Sequence, residues 1–271
     1  MDLFGTISEV SNKQKKRIET IEVNTLEKIP KENDINLETD RWFRIEDVVS
    51  LYIDMTGSTQ LSNEKHAKTC AKVLQLFTGA LSEILRHEDL QADFVDIKGD
   101  GGFALWKGKY ASARALIASV TFRTAVVLEL KPIVKTMFDW QLMSHCGIAK
   151  GDVLAKRIGT RDNRKVKRNW VVWAGKPVNN SCKLSDKAEP DTLLVTKDVY
   201  KDIEKDTELS NYLIMSCVCG NNGTKENLWE YLQYNEDVAA EIYKLSSFWC
   251  EIHGNEYINN VLAYINENEK S

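Results

Sequence analysis

At 271 residues the chain has room for one large domain, or one domain with extensions, and 43% hydrophobic residues suffice for a globular core. A formal net charge of −4 argues against a general nucleic-acid or membrane-surface binder. The N-terminus lacks a basic segment followed by an apolar core. No apolar run approaches the roughly 20 residues of a spanning helix, so a cytoplasmic protein without a membrane anchor is expected.

Residues 1–40 are polar and charged, with a possible helix in KKRIETIEVNTLEKI, where Ile18, Ile21, Leu26 and Ile29 recur at roughly helical spacing, and KENDINLETD reads as a linker. From Val48, VVSLYI reads as a buried strand whose apolar run ends at Asp54, within SLYIDMTGSTQLS. A long amphipathic helix follows in NEKHAKTCAKVLQLFTGALSEILRHE, then a hairpin in DFVDIKGDGGFALW that turns at GDGG. KYASARALIASVTFRTAVVLEL predicts a second long helix, and MFDWQLMSHCGIAKG another strand. The basic stretch RDNRKVKRN (161–169) reads as a solvated hairpin tip before the strand NWVVWAG. Pro177 near its first turn opens a helix in KPVNNSCKLSDKA. TLLVT, YLIMSCVCG and LWEYL read as strands, TKDVYKDIEK as a short helix, and the chain from Asn235 as one or two helices. This order predicts an α/β (α+β) protein: a mixed or antiparallel sheet flanked by helices at 41–234, with helical extensions at 1–40 and 235–271.

The six cysteines, Cys70, Cys146, Cys182, Cys217, Cys219 and Cys250, include no CxxC pair, so they are expected as reduced, buried thiols rather than a zinc or redox site. The four histidines, His66, His87, His145 and His253, share no metal-ligand spacing and receive no role.

Asp54 ends its strand and Asp100 sits in the hairpin turn. If the two strands are neighbours, both carboxylates converge at one sheet edge and suit Mg²⁺ or Mn²⁺, which prefer oxygen donors. The MTGST stretch beyond Asp54 leads through Gly57 into a helix, where backbone N–H groups and the Thr59 hydroxyl can cradle a triphosphate.

Taken in order, SLYIDMTGSTQLS, FVDIKGDGGFALW, HCGIAKGDV and WAGKPVNNSCKL resemble the core blocks of class III nucleotide cyclases from about Val48 to Tyr231. Within that class the chain looks most like the bacterial pyrimidine cyclases of the Pycsar antiphage defence system. The resemblance implies a ferredoxin-like cyclase domain working as a head-to-tail homodimer with active sites at the interface. It implies two divalent cations per site, Mn²⁺ or Mg²⁺, held by Asp54, Asp100 and the Met55 backbone carbonyl. The ribose 3′-oxygen would attack the α-phosphorus and pyrophosphate would leave. Asn179 matches the family's transition-state asparagine. Lys183, one helical turn on, falls where the family has arginine and keeps the charge without the bidentate fork. Cys219 falls where the family usually has a triphosphate-binding lysine, and Lys225 is left unassigned.

The purine-selecting residues of the class correspond to Asp96 and Val172, and the adenine pattern is absent at both. Asp96 and Lys98 lie two apart on a strand and offer one acceptor and one donor on one side, which satisfies uracil or cytosine. Tyr52 and Trp173 either narrow the base pocket or are core aromatics. The expected substrate is UTP, giving 3′,5′-cyclic UMP, with CTP second. A purine cyclase and a degenerate nucleotide-binding regulatory module are the alternatives. The product would be a second messenger that activates a separate effector.

Overall fold

Val49, Leu51 and Ile53 recur at every second position of strand β2 (Arg41–Met55) and are fully buried. Val48 and Ser50, on the other face, are buried too, so this strand is covered on both sides. The structure, a computed structural model, describes residues 3–31, 35, 41–160, 168–219, 223–233 and 241–269, with the side chains at 159–169 outside the description. The basic stretch at 161–167, most of the 31–40 linker and the 234–240 boundary segment lie outside the described residues. The chain divides into two compact units, Asp47–Gly151 with Lys176–Ser271, and Met1–Glu46 with Asp152–Gly175.

In the larger unit, β3 (Phe94–Lys98) and β4 (Gly101–Lys107) form the predicted hairpin, and β4 pairs antiparallel with β2 from Val48↔Lys107 to Asp54↔Gly101. β5 (Ser144–Thr160) follows β2 in the sheet, then β7 (Leu193–Thr196), β9 (Glu241–Leu245) and β8 (Trp229–Gln233), giving the order β3-β4-β2-β5-β7-β9-β8. β5 and β7 are parallel while β7–β9 and β8–β9 are antiparallel, so the sheet is mixed, as the element order predicts.

One face of this sheet carries α3 (Ala67–Leu85), whose Cys70, Val73, Phe77, Leu81 and Leu85 are buried at helical spacing. Against it lies α4 (Ala111–Ala125), with Phe77 and Phe122 edge to face at 5.1 Å. A π-helical turn, Val126–Leu130, joins α4 to α5 (Lys131–Phe138). The run Ala111–Phe138 is long and apolar enough to cross a membrane by length and composition, which corrects the expectation that no such run exists. Since 72% of its most apolar window is buried inside the protein, the core accounts for that apolarity. Arg123, fully buried on α4, donates to the Asp191 carbonyl at 2.6 and 3.1 Å, and burial lowers its pKa to about 10.

On the other face α6 (Lys176–Lys187) crosses β5 at Gly147, where an added Cβ would stand 2.1 Å from the Ser181 carbonyl and 2.6 Å from the Ser185 nitrogen. Ser50 and Ser181 share a buried hydrogen bond at 2.9 Å, tying α6 to β2. The unit also contains α2 (Ser58–Glu64), α7 (Lys197–Glu204), α8 (Thr207–Leu213) and α9 (Gly254–Glu269).

The smaller unit contains α1 (Leu3–Ile18) and β1 (Glu22–Leu26), which runs parallel to the start of β2 from Glu22↔Arg41 to Leu26↔Ile45. Its other hairpin pairs the end of β5 with β6 (Arg168–Ala174). Here Arg44 donates to Asp152 at 3.1 Å.

Three local expectations change. EVNTL, read as helix, is strand β1, because its β-branched residues pair with β2 while the helix ends at Ile18. YLIMSCVCG is not a strand over its described residues: α8 ends at Leu213, and the pairing described after it is the isolated bridge Met215↔Asn227. The segment after Asn235, read as helical, contributes strand β9 as well as α9. All six cysteines are free, but only Cys70 and Cys146 are buried. Gly147→Ala should cost about 1–3 kcal/mol by forcing α6 off β5, read as a lowered urea midpoint with an unchanged slope.

Candidate active site

The β2–β4 register sets the geometry. Directly paired residues point to the same face, so Tyr52↔Phe103, Asp54↔Gly101, Asp96↔Phe103 and Lys98↔Gly101 place Tyr52, Asp54, Asp96 and Lys98 together on the α6 side. Ile53 and Ile97 point to the α3 side, where Ile97 Cδ1 and Leu81 bracket Gly102. Asp100 occupies the hairpin turn beside Gly99 (φ 63°), and its carbonyl accepts from the Met55 N–H at 3.2 Å. This bond ties the turn to the end of β2 and brings the two aspartates to one edge.

Gly101 makes room for the pair. A Cβ there would lie 2.5 Å from Asp54 Oδ1 and 2.7 Å from the Ile53 carbonyl. Burial, then the charges of Asp100 and Asp186, push the Asp54 carboxyl up to about 6 against one opposing backbone N–H from Met55. Asp54 Oδ1 and Thr56 Oγ1 are buried without a hydrogen-bond partner. A buried, unpartnered carboxylate oxygen facing a second carboxylate fits a hard divalent cation, which supplies the missing contact and cancels the repulsion. Burial first, and then the charges of Asp54, Cys182, Asp100 and Asp186, push Tyr52 up to about 12, so it stays a neutral phenol.

Gly57, with φ 78°, leads into α2, and Thr59 is exposed on its first turn. The Thr56 N–H is already committed to the Met143 carbonyl at 2.9 Å. Lys98 pairs with Asp96 at 2.8 Å, presenting acceptor and donor side by side. Trp173 lies in the smaller unit, 8% exposed and opposite Ala155, whereas Val172 is 37% exposed. Asn179 and Lys183 are both exposed on one face of α6.

Three residues without a sequence assignment join the site. Asp186 and Cys182 continue the α6 face of Asn179, and Asp186 acts electrostatically on Asp54, Tyr52 and Cys182. The i, i+3, i+7 spacing of Asn179, Cys182 and Asp186 was the available signal. His145 stands on β5 facing α6. Ser185 donates its hydroxyl to the His145 carbonyl at 3.0 Å, so the 2.8 Å contact at Nδ1 is a ring N–H donating to that oxygen. Burial lowers the His145 pKa against the raising effects of Asp186, Ser185 and Asp100.

Residues 42–227 match the family described as the adenylate and guanylate cyclase catalytic domain. A protein named uridylate cyclase from Propioniciclava tarda is 32% identical over 231 residues, 83% of this chain and 71% of the relative. Another of that name from Micromonospora echinofusca is 29% identical over 232 residues, 83% and 72% of the two chains. Among solved structures, an adenylyl cyclase from P. aeruginosa superposes with a TM-score of 0.59 at 16% identity, covering 76% of this chain and 96% of that one.

The carboxylate pair generates a test without substrate. Because its folded pKa lies above the ordinary 3.8, Asp54 contributes stability below that value, lost as pH rises through about 6. In chelator, Asp54→Asn should therefore gain melting temperature on the wild type as pH rises from about 5 to 7. Gly101→Ala should fold but bind Mn²⁺ about 10-fold more weakly or worse in a titration followed by electron paramagnetic resonance.

Proposed function

The chain belongs to the adenylate and guanylate cyclase catalytic-domain family, and from that premise we propose that it is a metal-dependent uridylate cyclase, converting UTP to 3′,5′-cyclic UMP and pyrophosphate. The observation that carries the metal-dependent reading is the Asp54–Asp100 pair, with Asp54 Oδ1 buried and unpartnered. Asp54, Asp100 and the Met55 carbonyl would hold two divalent cations, Mg²⁺ or Mn²⁺. When bound, these supply neutralisation of the triphosphate charge and a lowered pKa for the ribose 3′-hydroxyl. The protein's own residues hold and orient: Gly57 and Thr59 seat the phosphates, and the 3′-oxygen is aligned on the α-phosphorus with pyrophosphate opposite.

Support for uracil comes from the relatives named uridylate cyclase, and the Asp96–Lys98 pair supports a pyrimidine of either kind. The Asp96 carboxylate accepts from the uracil N3–H while Lys98 donates to a flanking carbonyl. The same two groups serve the amino and acceptor edge of cytosine, which makes CTP the second substrate. Tyr52, on the same sheet face as Asp96, narrows the pocket against purines.

The exposed Asn179 and Lys183 act across a homodimer interface, placing an amide and a positive charge on the partner's transition state. The cyclic product serves as a cytoplasmic second messenger in antiphage defence, acting on a separate effector.

Purified protein with each of ATP, GTP, CTP and UTP, in Mn²⁺ and in Mg²⁺, should yield cyclic UMP as the main product by mass and retention. Asp54→Ala and Asp100→Ala should abolish it. Cyclic AMP or GMP would overturn the base assignment, and no product from any triphosphate would favour a regulatory binding module. For the dimer, Asp54→Ala and Asn179→Ala are each inactive alone. An equal mixture should recover about one quarter of wild-type activity, because half the dimers carry one intact composite site.

A further inference from the structure

Four side chains that the cyclase reading leaves unused meet in the larger unit. Cys217 and Cys219 lie in the chain beyond α8, and Cys250 and His253 just before α9. Their ligand atoms all fall within 4.8 Å of one another. Cys217 Sγ is 3.3 Å from Cys219 Sγ and 3.4 Å from His253 Nδ1. Cys219 Sγ is 3.4 Å from Cys250 Sγ and 2.8 Å from His253 Nδ1, and Cys250 Sγ is 4.0 Å from that nitrogen. Four of these separations fall short of, and one exceeds, the edge of about 3.7 Å that a tetrahedron with metal–sulfur bonds of about 2.3 Å requires, so small shifts would admit an ion among them. They are far longer than a disulfide bond of about 2.05 Å, and all three cysteines are free.

We propose that Cys217, Cys219, Cys250 and His253 form a structural Zn²⁺ site. Three thiolates and one imidazole are a soft, closed donor set. Four protein ligands leave no open position, so the ion holds structure and does no chemistry. Sulfur donors also separate this site from the oxygen-rich Asp54–Asp100 pair, which suits Mg²⁺ or Mn²⁺.

Tyr257, on the first turn of α9, lines one cavity with Cys217 and Cys250. Side chains packed around such a centre help to fix its ligands. The local chain also needs a fastening. Between α8 and β8 the described backbone has one isolated bridge, Met215↔Asn227, with flanking bonds from Ser216 to Glu226 and from Leu228 to Ile214. A metal clip closes this loop onto the start of α9, 31 residues further along from Cys219 to Cys250. The proposal runs against the sequence expectation of no zinc site and no role for His253. The ligands arrive as Cys-x-Cys and Cys-x-x-His, and only folding joins the halves.

Full-length protein purified without chelator and passed through gel filtration should carry about one zinc per chain by mass spectrometry of the elements. Asp54→Asn should keep that zinc, and Cys219→Ser/Cys250→Ser should lose it. Should the double variant fail to fold, the wild type still decides. Replacing the metal with Co²⁺ should give a near-ultraviolet sulfur-to-cobalt charge-transfer band and the intense visible bands of tetrahedral cobalt. Stripping the zinc should lower the melting temperature and expose the three thiols to alkylation. Absence of zinc, octahedral cobalt, a disulfide among these cysteines in the native protein, or zinc retained by a folded double variant would each overturn the proposal.

Discussion

Two carboxylates that repel each other are kept adjacent by a backbone ladder that does not yield. The Asp54↔Gly101 register and the Met55 N–H bond to the Asp100 carbonyl hold the hairpin turn against the end of β2. Burial first, and then the charge of Asp100, raise the Asp54 pKa, and one Asp54 oxygen is left without a partner. Neither aspartate can withdraw without breaking the central strand pair, whose other face is the α3 and α4 core. Core packing thus holds two like charges at the sheet edge, and their repulsion is what a divalent cation would relieve.

The second constraint is the close approach of α6 to the sheet. With no side chain at Gly147 and a Ser50–Ser181 hydrogen bond in place of an apolar contact, the helix lies near enough for Asp186 and Cys182 to act on the aspartate site. The same seating leaves Asn179 and Lys183 on the exposed surface. One helix face therefore carries Asn179 and Lys183 and also brings a third carboxylate, Asp186, within electrostatic reach of Asp54.

Two chemistries are kept apart by ligand type. Oxygen donors gather at the β2–β4 edge, and sulfur and imidazole donors gather beside α9. Where the family resemblance places a lysine, Cys219 stands within the sulfur cluster, and Lys225 is held by Asn211 at 3.0 and 3.1 Å over the Tyr212 and Tyr257 rings. The departure from the family pattern thus coincides with a different local use of that loop.

The sequence by itself determined the elements whose periodicity is strong and local. The buried apolar run VVSLYI, the GDGG turn, the helical spacing from Ala67 to Leu85 and Pro177 at the start of α6 all appear as read. The acidic pair was legible because a polar residue at the end of an apolar strand breaks its pattern. Tertiary structure decided what depends on long-range pairing. EVNTL becomes a strand because β2 offers it an edge, β9 forms between β7 and β8, and apolar Ala111–Phe138 becomes core because other elements cover it. Asp186, His145 and the Cys217–Cys219–Cys250–His253 cluster belong to the same class. Their meaning lies in proximity across tens of residues. Helical spacing marks Asp186 as sharing a face with Asn179, but neither composition nor spacing records which distant segments meet, because separation along the chain sets no distance once the sheet has formed.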